Sequence, residues 1–230
     1  MLKARNILIV FALICLVGCR ENSPIPMNSQ PGSVSGSTDE SDVVRRLVAA
    51  VGPDHKSVRF DYQGTCDSED TEIISLPAIK LGATAEDRDA LARIQGLLGD
   101  NHQMSIIEQP TGIVLVTFGG VTSGILQTTV GRLSLDNDER HDPRAAINAI
   151  YRSEELKASI ARLNIRHVYE MGHLLGHPVA QAAQVGPNID GITVDQFIDN
   201  VLRAFPGVVV YKECIRPNGK RLFDITYYDR

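Results

Sequence analysis

The fold is decided by residues 208–228, which read VVVYKECIRPNGKRLFDITYY. The apolar run from Val208 to Cys214 predicts one strand, and the alternating run from Arg221 to Tyr228 predicts a second. Between them lies Pro217-Asn218-Gly219, and Asn-Gly is among the strongest short-range signals for a tight hairpin turn. We therefore expect a C-terminal β-hairpin.

A helix is predicted directly before this hairpin. Apolar residues recur at helical spacing from Val194 to Phe205, and Thr193 with Gln196 forms a capping box at the start. Pro206-Gly207 ends the helix. The C-terminal part of the chain therefore has the order helix, strand, turn, strand.

A similar order is predicted earlier in the chain. A helix opens at Thr84 and stops at Gly99, and the strands Met104–Glu108 and Ile113–Phe118 flank a turn. Short strands predicted at Ala78–Leu81 and Asn188–Ile192 would make each half a β-α-β-β unit. An α+β domain can also use this order twice without an internal repeat.

The remaining folded segments complete the predicted domain. Asp42–Val51 has an apolar helical face, and Glu72–Leu81 predicts a strand that Pro77 interrupts. Ser57–Gln63 alternates, with Val58, Phe60 and Tyr62 on one side and Arg59 and Asp61 on the other, which predicts a half-buried strand. We predict an α+β domain over residues 41–230, with antiparallel sheets, packed helices and halves at 41–135 and 142–230.

The β-α-β-β order resembles the small periplasmic modules found at the start of secretins and of some outer-membrane receptors. The resemblance covers Gly191–Tyr228 and extends less clearly to Ala78–Phe118. It implies a domain that makes protein contacts. Because it rests on element order alone, it assigns no role to any residue.

The first residues have the pattern of an export signal. Lys3 and Arg5 precede an apolar run of about eleven residues, Ile7–Val17, which is shorter than the roughly 20 residues of a membrane span. Leu16-Val17-Gly18-Cys19 follows and resembles the lipobox of bacterial lipoproteins. An uncleaved anchor, or cleavage after another small residue, is the alternative.

The lipoprotein resemblance implies a location and a topology. Residues 1–18 would be the signal peptide, and the Cys19 thiol would carry the lipid, including palmitate. Position 20 is Arg20 rather than the Asp that retains such proteins in the inner membrane, which implies an outer-membrane lipoprotein facing the periplasm. Residues 19–40 are rich in Ser, Pro and Gly and predict a disordered tether.

The same resemblance divides the four cysteines. Cys15 would leave with the signal and Cys19 would carry the lipid, so that Cys66 and Cys214 remain. Disulfides persist in oxidising compartments, and we therefore predict a bond between these two residues. Two buried free thiols are the alternative.

The charge of the chain restricts its partners. The net charge is −5, and removal of Lys3 and Arg5 leaves 21 basic against 28 acidic residues, a net charge of −7. An acidic domain lacks the electrostatic footprint of a nucleic-acid binder and suits a basic protein partner. Contact with the membrane would depend on the lipid on Cys19.

One segment contains candidate metal ligands. Residues 167–177 hold three of the six histidines, and Glu170, His173 and His177 have spacings that occur in metal sites. Leu174 stands where a zinc peptidase needs glutamate, and Gly172, Gly176 and Pro178 disfavour a helix through His177. These residues define one alternative function, a metal-dependent hydrolase. A histidine-bearing loop without metal is the other interpretation, and we predict no cofactor.

The final strand contains the predicted partner-binding residues. Its alternation places Tyr227 and Tyr228 on opposite faces, and a terminal strand can lie at a sheet edge where a partner adds. Since no set of catalytic residues is recognised, the leading hypothesis is a non-catalytic binding protein. It would be an envelope assembly factor or an inhibitor or immunity protein. A structural accessory lipoprotein of a secretion or surface complex is a further alternative.

Overall fold

The computed structural model describes residues 38–66, 72–83, 89–121, 124–168 and 183–229. The predicted signal peptide and most of the predicted tether lie outside these ranges. The elements of the described residues are numbered in chain order. The helices are α1 (Glu40–Val51), α2 (Ala90–Leu98), α3 (Asn137–His141), α4 (Pro143–Ala149), α5 (Glu154–Arg162) and α6 (Val194–Ala204). The strands are β1 (Val58–Gln63), β2 (Thr65–Cys66), β3 (Ile74–Ser75), β4 (Met104–Glu108), β5 (Val114–Phe118), β6 (Thr129–Ser134), β7 (Ile165–His167), β8 (Asn188–Thr193), β9 (Val208–Ile215) and β10 (Arg221–Tyr228).

The predicted C-terminal hairpin is confirmed. β9 and β10 pair antiparallel, from Val208 opposite Tyr228 to Ile215 opposite Arg221. Gly219 has a φ of 79° in the turn, a left-handed conformation that glycine adopts without steric cost. The helix before the hairpin begins with the predicted capping box of Thr193 and Gln196. Local sequence signals therefore specify the C-terminal part of the fold.

The main sheet has six strands in the order β4-β5-β1-β9-β10-β7. The predicted α+β class with packed helices is confirmed, but this sheet is mixed rather than antiparallel throughout. β4 with β5 and β9 with β10 are antiparallel, whereas β1 runs parallel to both β5 and β9, and β7 runs parallel to β10. The sheet is mixed because β1 lies between β5 and β9, two strands that come much later in the chain.

The sheet has two buried faces, which we call face A and face B. Face A carries alternate residues of β1 and β9, including Phe60 and Val210, and packs in one apolar cluster with α1 and α2. Face B carries Val209 and Tyr211 and packs in a second cluster with α4 and α6. The small antiparallel sheet of β6 and β8 contributes Val130 and other residues to the second cluster. The central strands are therefore covered on both sides.

The two predicted halves contribute to one sheet. The strand predicted at Ala78–Leu81 is absent, and the longer strand predicted at Glu72–Leu81 is reduced to β3. In the irregular part, the amide of Ile79 donates to the Thr38 hydroxyl and the amide of Lys80 donates to the Asn101 side chain. Side chains thus satisfy amides that a strand ladder would otherwise bind. The strand predicted near Asn188 is β8, but it pairs with β6 outside the main sheet.

The disulfide and the start of the folded body can both be located. Cys66 of β2 is bonded to Cys214 of β9, with their Cα atoms 5.5 Å apart, which confirms the predicted link. Helix α1 begins at Glu40 and Asp39 caps it, so the last residues of the predicted tether belong to the folded body. No helix within the described ranges has the length and apolar content that a membrane span requires.

Candidate functional site

Two charged residues predicted on the exposed side of β1 are buried. Arg59 is 1% exposed and Asp61 is 4% exposed, so the prediction of a half-buried strand was wrong. Both residues lie on face B, level with Val209 and Tyr211 of β9. Helix α6 lies above them, and its residues complete the charged group.

The charged group consists of one arginine and three carboxylates. Arg59 Nε donates to Asp61 Oδ1 at 3.0 Å and Arg59 Nη2 donates to Asp61 Oδ2 at 2.8 Å, a bidentate pair. Arg59 Nη1 forms ion pairs with the carboxylates of Asp195 and Asp199 on α6. We call these four residues the Arg59 cluster. One guanidinium therefore neutralises only one of three carboxylates when all are ionised.

The electrostatics of the Arg59 cluster reflect this imbalance. Burial raises the pKa of Asp61 to about 6, in spite of the opposing effect of Arg59, and the charges of Asp195 and Asp199 raise it further. Burial also raises the pKa of Asp199. Burial alone would lower the pKa of Arg59, but the neighbouring carboxylates, Asp61 above all, outweigh it and hold that pKa above its ordinary value. Near neutral pH the cluster thus holds negative charge in excess, and that excess disfavours the folded state.

We expect the substitution Asp61→Asn to remove a pH dependence of stability. Because the folded-state pKa of Asp61 lies above the ordinary value of 3.8, the folded protein binds this proton more tightly than the unfolded chain does. The resulting stability is fully present below the ordinary value of 3.8 and is lost as the pH rises to about 6 and above, to a total of roughly 3 kcal/mol. Between pH 4.5 and pH 7.5, the stability of wild type minus that of the variant should fall by about 2 kcal/mol.

Urea denaturation across this pH range measures the effect. Asp138→Asn on α3 is the matched control, because Asp138 is exposed and lies outside the Arg59 cluster. The control curve should run parallel to that of wild type. If the Asp61→Asn curve is also parallel to that of wild type, the assignment of the titration to Asp61 is wrong.

Face B is less covered toward the β4 edge of the sheet. Ile107 of β4 is 50% exposed and pairs with the half-buried Leu115 of β5, which in turn lies level with Arg59. The next row has exposed Ser105 and half-buried Thr117. We call these four side chains on β4 and β5 the open strip. The described elements thus leave an apolar and hydroxyl surface beside the Arg59 cluster.

A second polar group lies on face A, where the chain enters the fold. Glu40 accepts hydrogen bonds from the hydroxyls of Tyr62 and Tyr228 and from Lys212 Nζ, the last at 3.0 Å. Lys212 is 2% exposed and its Nζ also lies 3.9 Å from Asp224 Oδ2. The first helical residue is thereby bound to β9 through the buried charge of Lys212 and to β10 through the hydroxyl of Tyr228.

A cavity of about 260 Å³ adjoins this second group. Its lining includes Glu40, Lys212 and Tyr228. On the far side of Lys212, Asp224 Oδ1 lies 3.4 Å from Nε2 of His167, whose ring stacks on Tyr151. These contacts give the polar residues structural partners and hold the N-terminus of α1 against β9 and β10.

The comparisons with protein-family models, with curated proteins and with solved structures found no match for this chain.

The predicted site residues have different outcomes. Cys66 and Cys214 are joined as predicted. Cys19 and the candidate metal ligands Glu170, His173 and His177 lie outside the described residues and stay predictions. Within the described ranges, no three His, Cys, Asp or Glu side chains form a group that could hold a metal ion.

The two predicted partner-binding tyrosines lie inside the fold to different extents. Tyr227 is 5% exposed, and its hydroxyl is 3.3 Å from the Pro206 carbonyl oxygen, to which it donates. Its ring is packed in the face B cluster, and its role in partner binding stays a prediction. Tyr228 is half-buried beside Glu40, and its role in binding stays a prediction.

Sequence reasoning did not identify the Arg59 cluster or the open strip. A signal for the cluster was present, because Asp195 and Asp199 are spaced i, i+4 on the predicted helix and therefore share one side of it. Arg59 and Asp61 share one side of their strand in the same way. The spacing of these residues in the sequence does not indicate that this side of β1 faces α6.

Proposed function

We propose that this chain is a non-catalytic protein-binding domain, anchored by lipid on Cys19 to the outer membrane and facing the periplasm. It would act as an envelope assembly factor or as an inhibitor or immunity protein. The observation that carries the binding function is the open strip, where Ile107 is half exposed on a sheet whose central positions are fully buried. Apolar surface next to charge is typical of a protein contact site.

The disulfide supports the proposed compartment. Disulfides form and persist in oxidising environments such as the periplasm and are rare where thiols are kept reduced. Cys66 and Cys214 have the Cα separation that an unstrained bond needs. Residues 20–37 would then link the lipid to the first described residue, Thr38.

Metabolic labelling with palmitate, followed by membrane fractionation, tests the anchor. We expect the full-length chain to carry label and to sediment with outer membranes, and we expect Cys19→Ser to lose both properties. A substitution at the cysteine predicted to leave with the signal, Cys15→Ser, is the matched control and should change neither. Equal labelling of the Cys19→Ser variant would exclude lipid attachment at Cys19.

Crosslinking in intact cells tests the binding function. The full-length chain is treated with a short amine-reactive crosslinker, and adducts are identified by mass spectrometry. We expect one protein to be recovered in defined stoichiometry. Failure to recover any protein adduct, with the chain correctly localised, would contradict the proposal.

A further inference from the structure

The open strip has the dimensions of a helix-binding surface. Neighbouring strands lie about 4.8 Å apart, so β4 and β5 together present a strip about 10 Å wide, which is close to the diameter of an α-helix. The two rows of side chains in the strip lie about 7 Å apart along the strands, which is close to the rise of about 6 Å between positions i and i+4 of a helix. Helix α6 already packs on face B beside this strip, and helices in contact are spaced by 8–10 Å.

The border of the strip carries unbalanced negative charge. Asp199 and Asp195 on α6 bind Arg59 from above, and Asp195 keeps 35% of its side chain exposed. Leu115 lies directly beside Arg59 in the sheet. An element placed on the strip would therefore meet apolar side chains beneath it and carboxylates along the flank that faces α6.

We propose that the open strip binds an amphipathic helix of a protein partner, with its apolar stripe on Ile107 and Leu115 and with Lys or Arg residues facing Asp195 and Asp199. This inference rests on the proposed binding function and adds the partner's chemistry. Arg203 on α6 also acts on Asp199, so three carboxylates face two guanidinium groups, and a basic flank would balance the remaining excess. The apolar stripe would cover the exposed part of β4. In helix-in-groove recognition, the bound helix contacts the groove in this way through its apolar residues at i, i+3, i+4 and i+7.

A designed peptide tests the inference. The probe is a fluorescent, side-chain-crosslinked helix of about 14 residues, with Leu on one stripe and Lys on one flank, because uncrosslinked helices of that length are marginal in water. Its counterpart carries Glu in place of every Lys. Fluorescence anisotropy is measured against the mature chain from position 19 with Cys19→Ser. We expect the basic peptide to bind and the acidic peptide not to bind.

Matched variants locate the binding surface. Asp195→Asn/Asp199→Asn should raise the Kd for the basic peptide about fivefold, whereas Asp138→Asn/Glu154→Gln, on α3 and α5, changes the net charge equally and should raise it about twofold at most. Ile107→Ser should also raise the Kd about fivefold, and Ile73→Ser, at a residue of 49% exposure on another surface, should not. Thermal melting verifies that each variant is folded.

Several results would overturn this inference. They are equal binding of the acidic and basic peptides, equal losses in the two charge variants, equal losses in the two isoleucine variants, or no binding of either peptide. A protein partner recovered in intact cells through a different surface would preserve the proposed function and remove only the inference about the strip.

Discussion

Replacing Arg59 with methionine is expected to lower the free energy of unfolding at neutral pH by about 3–5 kcal/mol, the range found when one partner of a buried ion pair is removed. The side chain is 1% exposed and forms a bidentate pair with Asp61. Methionine retains much of the volume but no charge, so that Asp61, Asp195 and Asp199 would face one another with only Arg203, which acts on Asp199, as a neighbouring cation. Since domains of this kind are stable by about 5–15 kcal/mol, the loss is a large part of the total.

The loss should depend on pH and on Asp61. Protonation of the carboxylates relieves their repulsion, so the Arg59→Met variant should regain part of its stability as the pH falls from 7.5 to 5. The double variant Arg59→Met/Asp61→Asn should be more stable at pH 7.5 than Arg59→Met alone, because one uncompensated charge is absent. A double-mutant cycle by urea denaturation isolates this coupling from lost packing.

Arg45→Met is the matched control for this experiment. Arg45 also pairs with an aspartate, Asp42, but 79% of its side chain is exposed, and solvent screening leaves surface pairs of this kind with little effect on stability. If Arg59→Met is no more damaging than Arg45→Met, or if its loss is unchanged at pH 5, the Arg59 cluster has been assigned the wrong role.

Removal of the disulfide is expected to have an effect of similar size. Cys66 and Cys214 are 148 residues apart, and chain-entropy models assign a loop of this length about 5 kcal/mol of stabilisation at 25 °C. The double substitution Cys66→Ala/Cys214→Ala should therefore lower the free energy of unfolding by about 4–5 kcal/mol. Cys214 is fully buried, so a small loss of packing adds to the entropic effect.

The wild-type chain with reductant provides the comparison for this variant. Urea denaturation of the reduced wild type should give a stability within about 1 kcal/mol of the double variant, because both lack the same constraint. A loss of less than about 1 kcal/mol in both samples would show that the unfolded chain is already restricted without the bond.

Local signals account for the parts of the fold that were predicted from sequence. The Thr193–Gln196 capping box and the Asn218-Gly219 turn each specify structure within a few residues, and both are present. The position of β1 could not be predicted in this way. β1 pairs with β5 and β9 through backbone groups. The alternation of residues 58–63 does not indicate which distant strands will be its neighbours.

The Arg59 cluster and the open strip could not be predicted from the sequence for the same reason. Alternating polar residues on a strand are typical of a solvent-facing side, and Arg59 and Asp61 fit that pattern. In the structure these two side chains are buried, and buried charged groups require partners. Helix α6 supplies those partners from far along the chain, since Asp195 is 136 positions after Arg59. The exposure of Ile107 likewise depends on which elements cover face B, a property of the assembled sheet.

The place of β1 in the sheet also determines when the protein can fold. Val58 pairs with Val208, so the first long strand of the folded domain is completed only by almost the last one. A chain cut before β9 would hold β1 with one neighbour missing, and contacts this distant in sequence form slowly. The central sheet therefore needs the C-terminal hairpin as well as the first half of the domain.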